Sequence, residues 1–189
     1  NGPAIDVSSG TGDLAIELAK RPEITHTVGL DLLREMVIRA DAKILSRRLS
    51  NSITMMSGDS LSLPFSNDSF VCATAGFSLR NMPDVEKALS EMVRVVRPGG
   101  RVAILELTPM NPGVKSTLFR PIFHCLVPLI GRLVVGDRSA YSYLPRSVDY
   151  FLPADQLASM LTDLGLEDVN YRRLGFGTVA LHWGVKKAY

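Results

Sequence analysis

One stretch near the start of the chain constrains the fold most: residues 4–13 read A-I-D-V-S-S-G-T-G-D. A short apolar run that contains an acid breaks into a glycine-rich turn, and a helix-like stretch, 14–20, follows. Gly10 and Gly12 leave no side chain between backbone and ligand, and the first N–H groups of a helix carry partial positive charge. The stretch therefore predicts a strand, a tight turn and a helix N-terminus that together hold a polar ligand.

The rest of the chain alternates between short apolar runs and amphipathic stretches. We expect the following elements: strands at 26–30, 53–56, 70–75 and 101–107, helices at 33–47, 85–96 and 153–165, and a terminal hairpin of strands 169–174 and 179–186. This pattern predicts an α/β fold with one seven-stranded, mostly parallel sheet, helices on both faces and an antiparallel last strand. Ligands of such a sheet bind beyond the carboxyl ends of its strands.

Residues 111–152 are the least regular part of the chain. Their apolar segment, 118–135, is broken by prolines and charged residues, so it cannot span a bilayer. As an insertion after the fifth strand it predicts a lid, whose apolar face is either ordinary lid core or a contact with a membrane surface. We expect residues 1–189 to form a single domain that includes this lid. Because the chain starts almost on a central strand, we also expect a further N-terminal segment.

Composition excludes several classes of protein. A net charge of +2 does not indicate a nucleic-acid binder, and the basic residues of 33–48 are most simply a solvated helix face. An apolar run of 18 residues, as a membrane-spanning helix requires, does not occur. Cys72 and Cys125 are expected to be free core thiols in a reducing compartment. No metal site is predicted, and His182, inside the last strand, is expected to be a core histidine.

Polar residues at two further strand ends complete the predicted ligand site. Asp31 follows the second strand, where a carboxylate can hold both hydroxyls of a ribose; the alternative is a cap for the next helix. Asp59 and Ser60 follow the third strand and can bind an exocyclic amine and a ring nitrogen. A nicotinamide dehydrogenase would share the acid, but its turn is G-x-G-x-x-G, whereas G-T-G-D suits a ligand without a pyrophosphate.

These motifs resemble the class I S-adenosylmethionine-dependent methyltransferases, which have a Rossmann-like sheet. Shared features are D-V-S-S-G-T-G-D, Asp31, G-D-S at 58–60, L-P-F-x-x-x-S-F, P-G-G and the terminal hairpin. Three segments are more specific: G-F-S-L-R-N-M-P-D at 76–84, Y-x-Y-L-P-x-S-V at 141–148 and V-A-L-H-W-G at 179–184. They resemble the UbiE/COQ5/MenG family of quinone-biosynthesis C-methyltransferases, and the resemblance covers residues 4–186.

The resemblance implies methyl transfer from S-adenosylmethionine, leaving S-adenosylhomocysteine, to a ring carbon of a prenylated quinol. That quinol is demethylmenaquinol or a benzoquinol of the ubiquinone pathway, and the sequence does not separate the two. The resemblance also assigns cofactor binding to Ser8, Gly10, Thr11, Gly12, Asp31, Leu32, Asp59, Ser60 and Gly76. Two departures from the family are the Ser8-Ser9 pair before G-T-G and the absence of the family's N-terminal, tyrosine-bearing motif over the substrate.

The same resemblance places Arg80 and Asn81 at the acceptor. A quinol carbon becomes nucleophilic when a hydroxyl loses its proton, and the Arg80 cation could stabilise that phenolate; the alternative is that Arg80 anchors a backbone carbonyl. The guanidinium of arginine stays protonated in proteins, so Arg80 cannot act as a base. We therefore expect the proton of the quinol hydroxyl to leave through water, His124 or Tyr141. Rival hypotheses are a methyltransferase for another small acceptor and a low-activity cofactor-binding member of a membrane-associated assembly.

The expected location follows from the same reasoning. We expect a cytoplasmic protein or one attached peripherally to the inner face of a membrane, organellar in a eukaryote, because the prenylated substrate is stored in the bilayer. A homodimer through the lid or the hairpin is compatible with the sequence.

Overall fold

The computed structural model describes residues 1–110, 147–148 and 151–188. Its elements, in chain order, are β1 (Gly2–Val7), α1 (Asp13–Ala19), β2 (Ile24–Asp31), α2 (Arg34–Ser46), β3 (Ile53–Ser57), β4 (Phe70–Gly76), a 3₁₀ turn (Leu79–Asn81), α3 (Val85–Val95), β5 (Val96–Leu107), α4 (Ala154–Asp163), β6 (Leu166–Leu174), a second 3₁₀ turn (Gly175–Gly177) and β7 (Val179–Lys186). The predicted alternation of strands and helices is confirmed.

Seven strands of the described residues form one sheet in the order β3-β2-β1-β4-β5-β7-β6. Strand β7 pairs antiparallel with both β5 and β6, and the other pairs are parallel, as predicted. Val7 at the end of β1 is level with Leu30 of β2 and Ala75 of β4. The carboxyl ends of these strands therefore reach one edge. The order in which strands are added to the sheet reverses between β1 and β4, and ligands of such sheets bind at this point.

Apolar side chains fill both faces of the sheet. The larger core includes Ile5, Ile104 and Leu89 and lies between the sheet and helices α3 and α4. The smaller core packs α1 and α2, through Ile16 and Ile44, against β3. Helices thus cover both faces, as the sequence predicts.

Two predicted boundaries are wrong. Strand β5 begins at Val96, directly after α3, so the Pro-Gly-Gly segment lies inside the strand instead of preceding it. The register of β4 with β5 shifts at this point, and Gly99 has a left-handed φ of 73°. A Cβ on Gly100 would lie 2.7 Å from the Val71 carbonyl oxygen, so only glycine fits this irregular pairing. Strand β6 also starts earlier than predicted, at Leu166.

Most of the predicted lid, residues 111–146 and 149–150, lies outside the described residues. The same holds for Cys125, and the single-domain organisation with its lid stays a prediction. Val148 and Phe151, near the end of the segment, are buried. Among the described residues, none of the helices is long and apolar enough to cross a membrane, and no cluster of ligating side chains could hold a metal ion. Cys72 is a free, half-buried cysteine.

Candidate active site

The residues predicted to bind the cofactor meet at the carboxyl edge of β1 to β4. Strand-like hydrogen bonds continue past three strand ends: Ser9 N–H to the Leu30 carbonyl (3.0 Å), Gly58 N–H to the Asp31 carbonyl (3.0 Å) and Phe77 N–H to the Leu105 carbonyl (2.8 Å). Each turn therefore leaves its strand in a fixed direction. The edge gathers the segments 8–12, 31–33, 58–60 and 76–81.

The two glycines of the first turn serve different purposes. Both have left-handed backbones, with φ of 54° at Gly10 and 79° at Gly12. A Cβ on Gly10 would meet nothing within 4 Å, so this glycine borders open space that a ligand can enter. A Cβ on Gly12 would lie 3.3 Å from the Cβ of Ala40, so the second glycine lets the turn pack closely against α2. Ser8 also has a positive φ, 53°.

The Asp31 carboxylate links the glycine turn to α2. One oxygen accepts the Gly10 N–H (2.8 Å) and the other accepts the Leu33 N–H (2.9 Å). The N-cap of α2 is Leu33, so Asp31 supports the helix start from outside it and is not the cap residue. Since each carboxylate oxygen has a second lone pair, Asp31 can accept two hydroxyl donors as well. Leu32 and Leu33 beside it are 66% and 59% exposed and offer an apolar surface to a ligand.

The remaining predicted cofactor residues close the edge around this turn. The hydroxyls of Ser8 and Ser60 are 2.9 Å apart and join the first turn to the segment after β3. Asp59 is exposed, and its carboxylate accepts the Leu61 N–H at 2.9 Å. Gly76 ends β4 beneath α1: a Cβ there would lie 2.7 Å from the Leu14 side chain.

Lys43 supports the turn and was not predicted to do so. Its ammonium group donates to the Thr11 hydroxyl (3.0 Å) and to the Asp13 carboxylate (3.0 Å). From the sequence, Lys43 is expected to lie on the solvated basic face of this helix. Its spacing on α2 gives no sign of this contact, which depends on how α2 packs beside α1.

Asp6 is a second residue near the site that the sequence pattern does not single out. It lies next to last in β1, is 1% exposed, and accepts the Thr74 hydroxyl at 2.7 Å through one oxygen. Burial raises the pKa of Asp6 from 3.8 to about 7, against the lowering effect of the hydrogen bonds from Thr74 and the Ala15 backbone. The nearby Asp31 carboxylate adds a smaller rise. The available signal was an acid inside an otherwise apolar strand.

Unpaired buried atoms cluster at this edge. Oδ2 of Asp6 and the hydroxyl of Ser9 are fully buried and have no hydrogen-bond partner among the described residues. Buried polar atoms are rarely left unpaired. The open space at Gly10 and the carboxylate of Asp31, whose oxygens can accept further donors, fit a polar ligand that has hydroxyl and amino groups.

The residues predicted to act on the acceptor are only partly described. Arg80 lies in the 3₁₀ turn after β4, and its Nη1 donates to the Glu106 carboxylate (2.5 Å) and to the Phe77 carbonyl (2.6 Å). The Arg80 and Glu106 side chains are 6% and 1% exposed. The hydrogen bond to the Phe77 carbonyl agrees with the alternative in which Arg80 anchors a backbone carbonyl. Asn81 is exposed, and Tyr141 and His124 lie outside the described residues.

His182 has the environment of a core residue. It is 1% exposed, its Nε2 lies 2.8 Å from the Ala154 carbonyl, and its ring lies beside Tyr171 with centroids 5.2 Å apart. Burial lowers its pKa. The prediction that this histidine is structural is confirmed by these contacts.

The strand order, the glycine turn and the acid at the end of β2 together define a class I S-adenosylmethionine-dependent methyltransferase. Solved structures give the same architecture: the [4+2]-cyclase SpnF matches with a TM-score of 0.75 and 21% identity, over 100% of this chain and 77% of that one. A likeness at this identity shows the fold alone. Structures titled as SAM-dependent methyltransferases match too.

Within that class, the chain belongs to the ubiE/COQ5 methyltransferase family, whose model matches residues 2–186. A demethylmenaquinone methyltransferase of Roseiflexus castenholzii is 40% identical over 187 residues, which cover 98% of this chain and 76% of that protein. A ubiquinone/menaquinone biosynthesis C-methyltransferase of Dinoroseobacter shibae is 39% identical, over 96% and 73% respectively. The chain is therefore a methyltransferase enzyme that uses S-adenosylmethionine.

Proposed function

We propose that this enzyme methylates a ring carbon of a prenylated quinol, either demethylmenaquinol or a benzoquinol precursor of ubiquinone. The observation that carries the proposal is the position of the L-R-N segment, which belongs to one of the three segments most specific to the family. It forms the 3₁₀ turn Leu79–Asn81, three residues beyond the end of β4 and so beside the glycine turn. The names of the relatives in Roseiflexus castenholzii and Dinoroseobacter shibae support the choice of a quinone-pathway acceptor.

The cofactor would be held by the residues at the carboxyl edge of β1 to β4. S-adenosylmethionine supplies an electrophilic methyl group on a sulfonium when bound. The Asp31 carboxylate has free lone pairs for the ribose hydroxyls, and Asp59 and Ser60 lie at the end of β3 to contact the base. The Asp31 carboxylate places negative charge at the end of β2, which suits a ligand with a net positive charge.

The acceptor would be bound beyond β4 and β5. Asn81 is exposed, and its amide can both donate to and accept from a quinol hydroxyl. Arg80 carries positive charge in a buried setting, where it stabilises a nearby phenolate more than it would in water. Because Glu106 already neutralises part of that charge, we assign Arg80 a role in fixing this wall as well as in stabilising the phenolate. His124 or Tyr141 stays our candidate to take up the hydroxyl proton.

The prenyl chain gives the predicted lid a purpose. We infer that residues 111–152 form an apolar wall over the acceptor and that 118–135 contact the surface of the membrane in which the substrate is stored. On this proposal the protein is peripherally attached, and a homodimer through the lid or hairpin is compatible with it. Vesicle flotation tests the attachment: the full-length protein should float with vesicles of anionic phospholipid, and a variant with 118–135 replaced by a Gly/Ser linker should not.

Product analysis tests the reaction. Full-length protein is incubated with methyl-labelled S-adenosylmethionine and with each quinol class, and the products are examined by mass spectrometry. We expect label on a quinol ring carbon. Binding of S-adenosylmethionine without turnover of either quinol would overturn the proposal and favour a cofactor-binding partner, and label on another acceptor in membrane extracts would favour a different substrate. Arg80→Glu should abolish turnover, and an unchanged rate would remove Arg80 from the mechanism.

A further inference from the structure

Phe77, the first residue after β4, combines two unfavourable features. Its backbone is left-handed, with φ of 56°, although it is neither glycine nor asparagine. Its side chain is 44% exposed, which makes it one of the exposed large hydrophobic residues of the described chain. A bulky residue in this conformation is a strained outlier, and such outliers cluster at functional sites. Glycine would adopt the same φ without strain, so the backbone conformation does not require a phenylalanine at this position.

The left-handed conformation is fixed from both sides. The Phe77 N–H donates to the Leu105 carbonyl of β5 at 2.8 Å, and the Phe77 carbonyl accepts from Nη1 of Arg80 at 2.6 Å. Either bond alone would leave the peptide on the other side free to rotate. Together they hold the residue in the orientation that exposes its ring.

Glu106 holds the arginine in turn. One of its carboxylate oxygens accepts from Arg80 Nη1 (2.5 Å) and from its neighbour, the Leu107 N–H (2.8 Å). The other accepts the backbone N–H of Arg80 at 3.3 Å. Since Glu106 lies in β5, it ties the turn after β4 to the adjacent strand through both the backbone and the side chain of Arg80.

The sheet order indicates which ligand the ring would meet. Most of the cofactor residues, among them Asp31 and Asp59, follow β1, β2 and β3, whereas Phe77 lies between Gly76 at the end of β4 and the Leu79–Asn81 turn. The exposed ring therefore lies at the border between the cofactor residues and the acceptor half of the edge. Aromatic rings bind other aromatic rings by offset or edge-to-face contact.

We propose that Phe77 is a specificity-determining contact for the aromatic ring of the acceptor, and that Glu106 is a positioning residue that sets it through Arg80. The inference rests on the proposed function, because it takes the acceptor to be a quinol. It adds to that function the contacts from Glu106 to Arg80 and from Arg80 to Phe77, which together position one wall of the acceptor pocket.

The first test replaces Phe77 by glycine, which keeps the φ and removes the ring. For Phe77→Gly we expect an unfolding temperature equal to or above that of the wild type, cofactor affinity within about twofold, and a KM for the quinol raised at least about tenfold, with a smaller change in kcat. Phe77→Tyr should restore KM to within about threefold, whereas Phe77→Leu should not. Leu45→Ala, an exposed apolar residue on α2, is the matched control and should change none of these values.

An unchanged quinol KM in Phe77→Gly would overturn the assignment of Phe77, provided that the wild type methylates the quinol. If the wild type methylates neither quinol class, the proposed function itself fails, so the two failures are distinguishable. A restored KM in Phe77→Leu would show that apolar volume matters and that ring contact does not, which also overturns the inference as stated.

The second test addresses Glu106. Glu106→Gln removes the charge, and Glu106→Asp keeps the charge but withdraws the carboxylate by one methylene group, so at least one variant should fold. Each should raise the quinol KM as Phe77→Gly does, with cofactor affinity retained. Combined with Phe77→Gly, neither should raise KM further, because both changes act on one ring. Additive effects, or a fall in kcat alone, would show that Glu106 does not act through Phe77.

Discussion

The carboxyl group of Asp6 should make the folded protein less stable as the pH rises from 3.8 to about 7. Between these values the folded state holds a proton on Asp6 and the unfolded state does not. The stabilisation of the neutral carboxyl is complete below 3.8 and is lost as the pH rises through the folded pKa of about 7. At about 1.4 kcal/mol per pH unit, the difference in pKa corresponds to about 4 kcal/mol in the free energy of unfolding.

More than half of that change should fall between about pH 5 and pH 8, where the protein is convenient to handle. The magnitude needs no reduction for solvent screening, because the side chain is 1% exposed and one carboxylate oxygen has no partner among the described residues. Asp6→Asn removes the titrating group while keeping an acceptor for the Thr74 hydroxyl. The variant should therefore gain about 2–3 kcal/mol relative to wild type between about pH 5 and pH 8.

Urea unfolding at several pH values measures this difference. Other titrating groups, such as His182, whose pKa burial lowers, are common to both proteins and cancel in the comparison. Asp41→Asn, at an exposed position on α2, is the matched control and should follow the wild type. If Asp6→Asn and the wild type change in parallel from about pH 5 to pH 8, Asp6 is ionised in the folded protein and the reasoning is refuted.

Three further changes test the site and its support. Lys43→Ala should weaken cofactor binding by up to about fivefold by calorimetry, since its half-exposed contacts with the first turn contribute at most about 1 kcal/mol; Lys20→Ala, which breaks an exposed ion pair, should leave the affinity unchanged. Gly12→Ala should lower stability by about 1–2 kcal/mol in thermal unfolding because of its left-handed backbone, and an unchanged midpoint would contradict this. Glu91→Gln should cost about 2–3 kcal/mol, because its buried carboxylate bonds to an arginine and a backbone N–H; a loss below about 0.5 kcal/mol would show that these bonds are not needed.

The sheet and the position of the site could be predicted from local sequence pattern. Apolar runs with the lengths of strands, separated by amphipathic stretches, leave few topologies open for a parallel sheet. Once Gly10, Asp31 and Asp59 each follow such a run, the common direction of the strands brings them to one edge. The level ends of β1, β2 and β4 are the physical basis of that success.

The contacts that were not predicted depend on which elements become neighbours. Glu106 pairs with Arg80 because β5 lies beside β4, and no spacing within the sequence encodes that pair. Phe77 adopts a left-handed conformation that is typical of glycine, whereas a phenylalanine predicts a negative φ. The Pro-Gly-Gly segment has the composition of a turn, yet a neighbouring strand takes it into the sheet as an irregular pairing, with Gly100 closely packed. Tertiary packing overrode the local preference in both segments.

Strand β7 lies between β5 and β6, although it follows both along the chain. On the ribosome, β5 therefore keeps one open edge, and β6 has no neighbour until residues 179–186 emerge. An open edge of this kind can pair with the same strand of another nascent chain. The sheet is complete only when this last segment has been synthesised. A premature stop before residue 179 would remove β7 and leave β6 without its partner strand, so we expect the truncated protein to aggregate and not to form a usable enzyme.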